Sequence, residues 1–301
     1  MRRHLVPTAL LPVVLLLGAC GGNSAAGAGS DVDGKGSLTL DVGDQKGGIG
    51  GVGNTPPVFA AGAGSRIKVV AAWHGTSDGD AVLVPDGSKL TDPRQLRGKS
   101  VAVAQGSSAH YQLVASLKAA GLGIGDVKVK YLQPADALAA FTAGKVDAWA
   151  VWDPYTSQVL RSGRGRILTT GKGVTNGLSF QVASPSALAD PRKAAAVKDY
   201  LARLRRATAW VYGHQKEWAE VWAKDTGLPY EVALASVRRT NASRVAVAVD
   251  RPLVASEQQI ADAFTALRLI PGKVDFARFV DTRYNGDLPA STSAPRAVRG
   301  S

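Results

Sequence analysis

The chain has 301 residues and a mass of 31.2 kDa, with 45% apolar and 20% charged residues, which excludes a disordered chain, a collagen-like fibre and a multi-pass membrane protein. That length fits one large domain or two lobes of ordinary size, because single cores stop growing at roughly 250–300 residues. There are 36 Lys and Arg against 24 Asp and Glu, a formal +12, which favours anionic partners, and one cysteine, which excludes internal disulfides and cysteine-built metal sites.

That cysteine belongs to an N-terminal address. Arg2 and Arg3 form a basic start, Leu5 to Leu17 an apolar run, and Leu17-Gly18-Ala19-Cys20 a four-residue lipobox. The run is shorter than the about 20 residues that span a bilayer, and Pro7 and Pro12 interrupt it. The expectation is a lipoprotein signal peptide over 1–19, removed to leave Cys20 for lipidation, with a second acyl chain making the anchor stable. An ordinary signal peptide with an incidental cysteine is the alternative. Residues 20–36 are glycine-rich and read as a flexible tether.

Leu38 to Val42 alternates apolar and polar residues as a strand does, and residues 43–53 are rich in glycine. Ile67 to Ala72, Ala81 to Val84 and Val101 to Ala104 are short apolar strands bounded by Gly, Pro, Ser or Asp. Ala109, Leu113, Leu117 and Ala120 recur at helical spacing, with Ser107 or Ser108 as N-cap and Gly121 as the stop. Residues 134–143 form a second helix that opens on Pro134 and ends at Gly144, and Val146 to Trp152 alternates as a strand. Strand, helix, strand, helix, strand over 99–152 predicts an α/β sheet with at least two βαβ units.

After Ser184 the pattern is mainly helical. Asp190-Pro191 opens a long helix carrying Val197, Leu201, Leu204 and Val211, and further helices fall near 214–224 and 229–240. Ser256 and Gln259 form a capping-box pair that predicts a helix over 257–269, ended by Pro271. Residues 285–301 read as a disordered tail.

The stretch Gln105-Gly106-Ser107-Ser108-Ala109-His110-Tyr111 ends a strand in a small polar loop that starts a helix. Free N–H groups there, with the two serine hydroxyls, suit a sulfonate, phosphate or carboxylate; a plain serine-capped turn is the other reading. No Gly-Lys-Ser/Thr follows, which excludes a P-loop. Trp152 and Tyr155 lie where the next strand ends at Asp153-Pro154 and could wall a cleft for an alkyl or aryl group, whereas Trp149 reads as core.

Other chemistries find little footing. His74, His110 and His214 are far apart in sequence, and Asp78-Gly79-Asp80 and Asp31-Val32-Asp33-Gly34 lack the terminal glutamate of a calcium loop, so no metal or other cofactor is expected. Ser107 and His110 are one helical turn apart, which does not make a triad, and no Gly-x-Ser-x-Gly elbow occurs, so the chain reads as no enzyme. The clusters Arg161/Arg164/Arg166, Arg203/Arg205/Arg206 and Arg238/Arg239 lack interleaved aromatics and read as solvated faces, with no nucleic acid implied.

Taken together, the lipobox, Asp44-Gln45-Lys46-Gly47, Gly53-Asn54-Thr55-Pro56-Pro57-Val58-Phe59-Ala60, the stretch 105–111, Pro134-Ala135-Asp136-Ala137 and residues 146–155 closely resemble one family. They are similar to the aliphatic-sulfonate-binding proteins, substrate-binding lipoproteins or periplasmic proteins of the nitrate, sulfonate and taurine ABC importers. Gln258-Gln259-Ile260-Ala261-Asp262 and Leu269-Ile270-Pro271 also match, and the similarity covers about 37–280.

The resemblance implies an α/β, two-lobed type II periplasmic-binding-protein fold, closing on its ligand as a hinged clamp. Lobe one would be 37–87 plus 184–284, and lobe two 88–183. Pocket contacts would come from Gln45, Lys46 and Gly47; from Asn54 and Thr55; from Gln105, Gly106, Ser107, Ser108 and His110; and from Trp152, Asp153 and Tyr155. The implied protein is a monomeric receptor, lipid-anchored to the outer face of the cell membrane, that passes an alkanesulfonate to an ABC permease and its ATPase.

Two departures stand out. Asn54 occupies a position where relatives usually carry Asp. Between Gly47 and Gly50 the family inserts a helix, a strand and another helix, roughly 30–40 residues at ordinary element lengths, so lobe one lacks that segment and part of its sheet is left uncovered. The alternatives are the same fold binding nitrate, taurine or a thiamine-precursor pyrimidine, a degenerate lipoprotein that binds nothing, and an enzyme related to pyrimidine synthases, which would need a catalytic cysteine cluster.

Overall fold

The apolar strand runs pair into two sheets that meet end to end. A computed structural model describes residues 40, 42, 48–240 and 243–292. The expected signal peptide, Cys20, the expected tether and the Gln45-Lys46-Gly47 stretch lie outside the described residues, as does most of the strand expected at Leu38–Val42; Val42 makes a parallel bridge to Ile49.

The first sheet contains β1 (Ile49–Gly53), β2 (Lys68–His74), β8 (Leu178–Ala183) and β9 (Val245–Val247), in the order β1-β8-β2-β9 with antiparallel pairing. The second contains β3 (Ala81–Pro85), β4 (Ser100–Val103), β5 (Lys128–Tyr131), β6 (Ala148–Val151) and β7 (Gly165–Thr170), in the order β5-β4-β6-β3-β7. Strand β4 is parallel to both β5 and β6, which are the two expected βαβ units, whereas β3 runs antiparallel to β6 and β7. Burial on both faces explains why these strands read as continuous apolar runs.

Helices cover both faces of each sheet. Helix α2 (Ser108–Ala119) sets Ala109, Leu113 and Leu117 against Val82, Val101 and Val103, while α3 (Pro134–Thr142) and α4 (Tyr155–Arg161) pack Phe141 and Val159 with Trp149 on the opposite face. In the first lobe, α1 (Thr55–Gly62) and α9 (Arg251–Ala266) cover one face through Val58, Ile260 and Phe264. After the short α5 (Pro185–Ala189), α6 (Pro191–Val211) brings Val197 and Leu201 against Ile49 and Trp73 on the other. Helices α7 (Gln215–Thr226) and α8 (Tyr230–Arg239) form a satellite cluster with Val211.

Several expectations move. Strand β3 belongs to the second sheet and β8 to the first, so the chain crosses between lobes at 75–80 and 171–177 rather than at 87/88 and 183/184. Helix α9 begins at Arg251, not 257: Asp250 is its N-cap and accepts from the Leu253 N–H, Pro252 fits the first turn, and Ser256 is interior. The chain is not free from 285 onward, because the Ser291 N–H and hydroxyl both donate to Asp250 and Ala248 N–H donates to the Pro289 carbonyl; residues 293–301 lie outside the described residues.

Candidate functional site

Strand register fixes where the loops converge. In the first sheet Gly53 pairs Ser179, and His74 pairs both Leu178 and Val245. One sheet end therefore carries Asn54, the residues after His74, those before Leu178, and Arg244. In the second sheet Ala81 pairs both Val151 and Thr170, so that end carries Asp80 and the residues after Val151 and Val103. The crossings 75–80 and 171–177 join these two ends, the place where open α/β sheets bind ligands.

A cavity of about 870 Å³ lies there, and its walls include Asn54, Asp80, Ser107, Ser108, Trp152 and Arg244. Just before Ser107 on the second-lobe side, Gly106 adopts φ +74°, with Phe59 packed so closely that a Cβ would lie 3.1 Å from the ring. Ser107 then caps α2, its hydroxyl accepting from His110 N–H at 3.2 Å and donating to the Ala104 carbonyl at 2.7 Å. Ser108 instead donates to Asp80 Oδ1 at 3.1 Å. Ser107 and Ser108 thus bring the N-terminus of α2, the positive end of its dipole, to the cavity wall.

Asp80 and Arg244 form the charged centre. Burial pushes the Asp80 carboxyl up to about 6, against the lowering effects of the Ser108 hydrogen bond and Arg244. Arg244 is depressed by desolvation and partly restored by Asp80. Nearby, Asp153 accepts from Ser157 N–H at 2.9 Å and Ser236 Oγ at 3.3 Å, and its Oδ2 lies 3.2 Å from Arg239 Nε without an aligned hydrogen bond. Burial raises the Asp153 carboxyl as well.

A polar network holds the floor. Asn54 Nδ2 donates to Asn176 Oδ1 at 2.9 Å, and Asn176 Nδ2 donates to Ser256 Oγ at 2.9 Å and Glu257 Oε1 at 2.7 Å. Glu257 is fully buried, and that burial pushes its carboxyl up to about 8. The network ties the end of β1, the second crossing and α9 into one unit.

Of the expected contacts, Asn54, Ser107, Ser108, Trp152 and Asp153 line the cavity. Gln105 is exposed outside it, and Gly106 shapes the turn. Thr55 is buried, donating to Asn54 Oδ1 at 3.0 Å. His110 is a core residue: its Nδ1 accepts from Gly106 N–H at 3.2 Å, its ring packs against Tyr131 and Phe264, and burial lowers it to about 4. Tyr155 packs against Trp149 at a centroid distance of 5.8 Å instead of walling the cleft.

No sequence signal marked Arg244, which lies just before the three-residue strand β9, and Asp80 was considered only as part of an incomplete calcium-loop pattern. Trp73, Trp218 and Trp222 were also missed as wall residues; the last two share a helix stripe at i, i+4, a spacing that could have marked them.

Residues 48–225 match the NMT1-like family. A protein of Escherichia coli (strain K12) assigned as aliphatic sulfonates-binding is 36% identical over 228 residues, covering 75% of this chain and 70% of that protein. The crystal structure of the periplasmic aliphatic sulphonate binding protein from Escherichia coli has a TM-score of 0.71 at 33% identity, covering 78% of this chain and 80% of its own. The alkanesulfonate-binding protein from Xanthomonas axonopodis pv. citri, bound to MOPS, has a TM-score of 0.72 at 33% identity, covering 77% and 80%. Matched both by family and by architecture, the chain belongs to the NMT1-like family and has the two-lobed periplasmic-binding-protein fold of these sulfonate-binding structures.

Proposed function

We propose that this protein is the extracytoplasmic receptor of an ABC importer, capturing an aliphatic sulfonate or a related small organic anion between its lobes for a permease and its ATPase. The observation that carries this reading is Arg244 in the interlobe cavity, opposite the N-terminus of α2. A guanidinium and a set of helix-start N–H groups are complementary to a tetrahedral oxyanion. Trp152 supplies an apolar wall for the carbon chain.

The chemistry of the cleft supports a receptor over an enzyme. The Ser107 hydroxyl is spent on the Ala104 carbonyl, and His110 is enclosed by aromatic rings, so the pair does not form a nucleophile and base. Lipidation at Cys20, anchoring to the outer face of the membrane and a monomeric state belong to the same proposal, by analogy with the lipobox and the family.

Titration of the full chain with ethanesulfonate by calorimetry tests the reading. Hydrogen bonds to charged groups contribute about 1.5–3 kcal/mol, so Arg244→Ala is expected to raise Kd roughly 10- to 100-fold. An unchanged Kd removes Arg244 from the site, and no binding to the unaltered protein removes the sulfonate reading. Asp80 favours one second reading, a zwitterionic aminosulfonate such as taurine, whose ammonium would pair with that carboxylate; competition of taurine against ethanesulfonate ranks the two.

A further inference from the structure

The cavity does not stop at the anion centre. It continues along the face of the first sheet that carries Gly51, Gln181 and Trp73, and there it is roofed by Leu204 and Thr208 of α6 and by Trp218 and Trp222 of α7. The i, i+4 spacing puts each of these helix pairs on one stripe, and the turn between α6 and α7 sets the stripes side by side over the sheet. Further along the same face, Val197 and Leu201 cover Ile49, Ala71 and Ala183, so the extension begins where α6 stops filling the space.

Its size exceeds what a short alkanesulfonate fills. A cavity of about 150 Å³ holds benzene, and cavities of about 300–1,000 Å³ hold drug-sized ligands, against about 870 Å³ here. The extension is aromatic, with three indoles, and indole faces suit flat rings. Its floor also holds buried polar groups. Gln181 lies so close over Gly51 that a Cβ there would sit 2.9 Å from its Nε2, and Trp73 Nε1 and Gln181 Oε1 have no hydrogen-bond partner among the described residues. The absence of a side chain at Gly51 leaves room for the Gln181 amide beside it.

Resting on the sulfonate reading above, we propose that this extension is a tail subsite, and that the ligand class is a sulfonate bearing a flat ring system rather than a short alkyl chain. The sulfonate sits between Arg244 and the start of α2, and the ring lies on the Gly51–Gln181 floor beneath Trp218 and Trp222.

The test compares naphthalene-2-sulfonate with ethanesulfonate by calorimetry on the full chain. The expected result is at least tenfold tighter binding of the aryl compound, displaced competitively by ethanesulfonate. Two variants act on the ratio of the two Kd values, a readout that does not depend on the fraction of folded protein: Trp222→Leu removes one ring wall, and Thr208→Trp fills the space. Each should bring the ratio down at least fivefold. A ratio near one in the unaltered protein, or a ratio that neither variant changes, overturns the tail subsite while the sulfonate reading stands. Failure of both ligands to bind overturns the two together.

Discussion

Arg244 and Asp80 share the cleft with opposite charges, and any anion held there must contend with the carboxylate. A sulfonate remains ionised across the accessible pH range, whereas Asp80 titrates near 6. Bringing an anion close disfavours the ionised carboxylate, so binding takes up a proton and affinity is greatest below that value. Protonation also weakens the bond that the Ser108 hydroxyl donates to Asp80, leaving that donor available to the ligand. The Kd for ethanesulfonate is therefore expected to rise as pH increases from 5 through 7.5. Asp80→Asn should flatten that profile and bind more tightly at pH 7.5. Taurine carries an ammonium and would show the opposite slope, since its partner is the ionised form. A flat profile in the unaltered protein would place the anion away from Asp80.

At the scale of elements, the contrast between Asp250 and Ser256 shows what could be read in advance. Ser256 and Gln259 satisfy the capping-box spacing, yet the helix starts six residues earlier, because Asp250 caps it and Pro252 tolerates the first turn. Ser256 instead accepts from Asn176 across the cleft floor, a contact between residues 80 positions apart that local pattern cannot reveal. Alanine at 250 should cost about 0.5–2 kcal/mol for the cap alone, with a further loss from the freed Ser291, whereas Ser256→Ala should leave the helix start intact. Chemical denaturation that finds the 256 variant the less stable of the two would restore the shorter helix. Elements with strong period or caps, β4 to β6 and α2, α3 and α6, were legible for the same reason that Asp250 was missed: local signals report local bonds. Strand β1 was missed because its glycines carry no pattern, and its place comes from backbone pairing with β8, more than a hundred residues away. The anion-binding helix start was visible in Ser107 and Ser108; Arg244 and Asp80 were not, since only the meeting of two sheet ends makes them neighbours.

At the scale of the whole molecule, the described residues bring the lobes together beyond the crossings at an aromatic contact and at a charged one. Phe59 and Phe264 of the first lobe pack on His110 of the second, with centroids 6.3 and 5.1 Å away. Helix α8 of the first lobe meets α4 and the end of β6 in the second, through Arg161 with Glu231 at 3.3 Å and Arg239 with Asp153 at 3.2 Å. The first ion pair is solvent-exposed and contributes little. The second differs, because the Asp153 side chain is 3% exposed and loses its cationic neighbour whenever the lobes part. Arg239→Ala would leave that carboxylate desolvated in the closed form only, which penalises closure. Since a ligand binds the closed form, its apparent Kd rises as the closed population falls, about 5–30-fold for a loss of 1–2 kcal/mol. The expected result is weaker ethanesulfonate binding together with a larger radius of gyration in X-ray scattering of the ligand-free variant. Adding Asp153→Asn to that variant removes the unpaired charge and should recover much of both. If Arg239→Ala changes neither affinity nor scattering, the pair does not govern closure, and the aromatic contact at His110 becomes the remaining candidate for holding the lobes together.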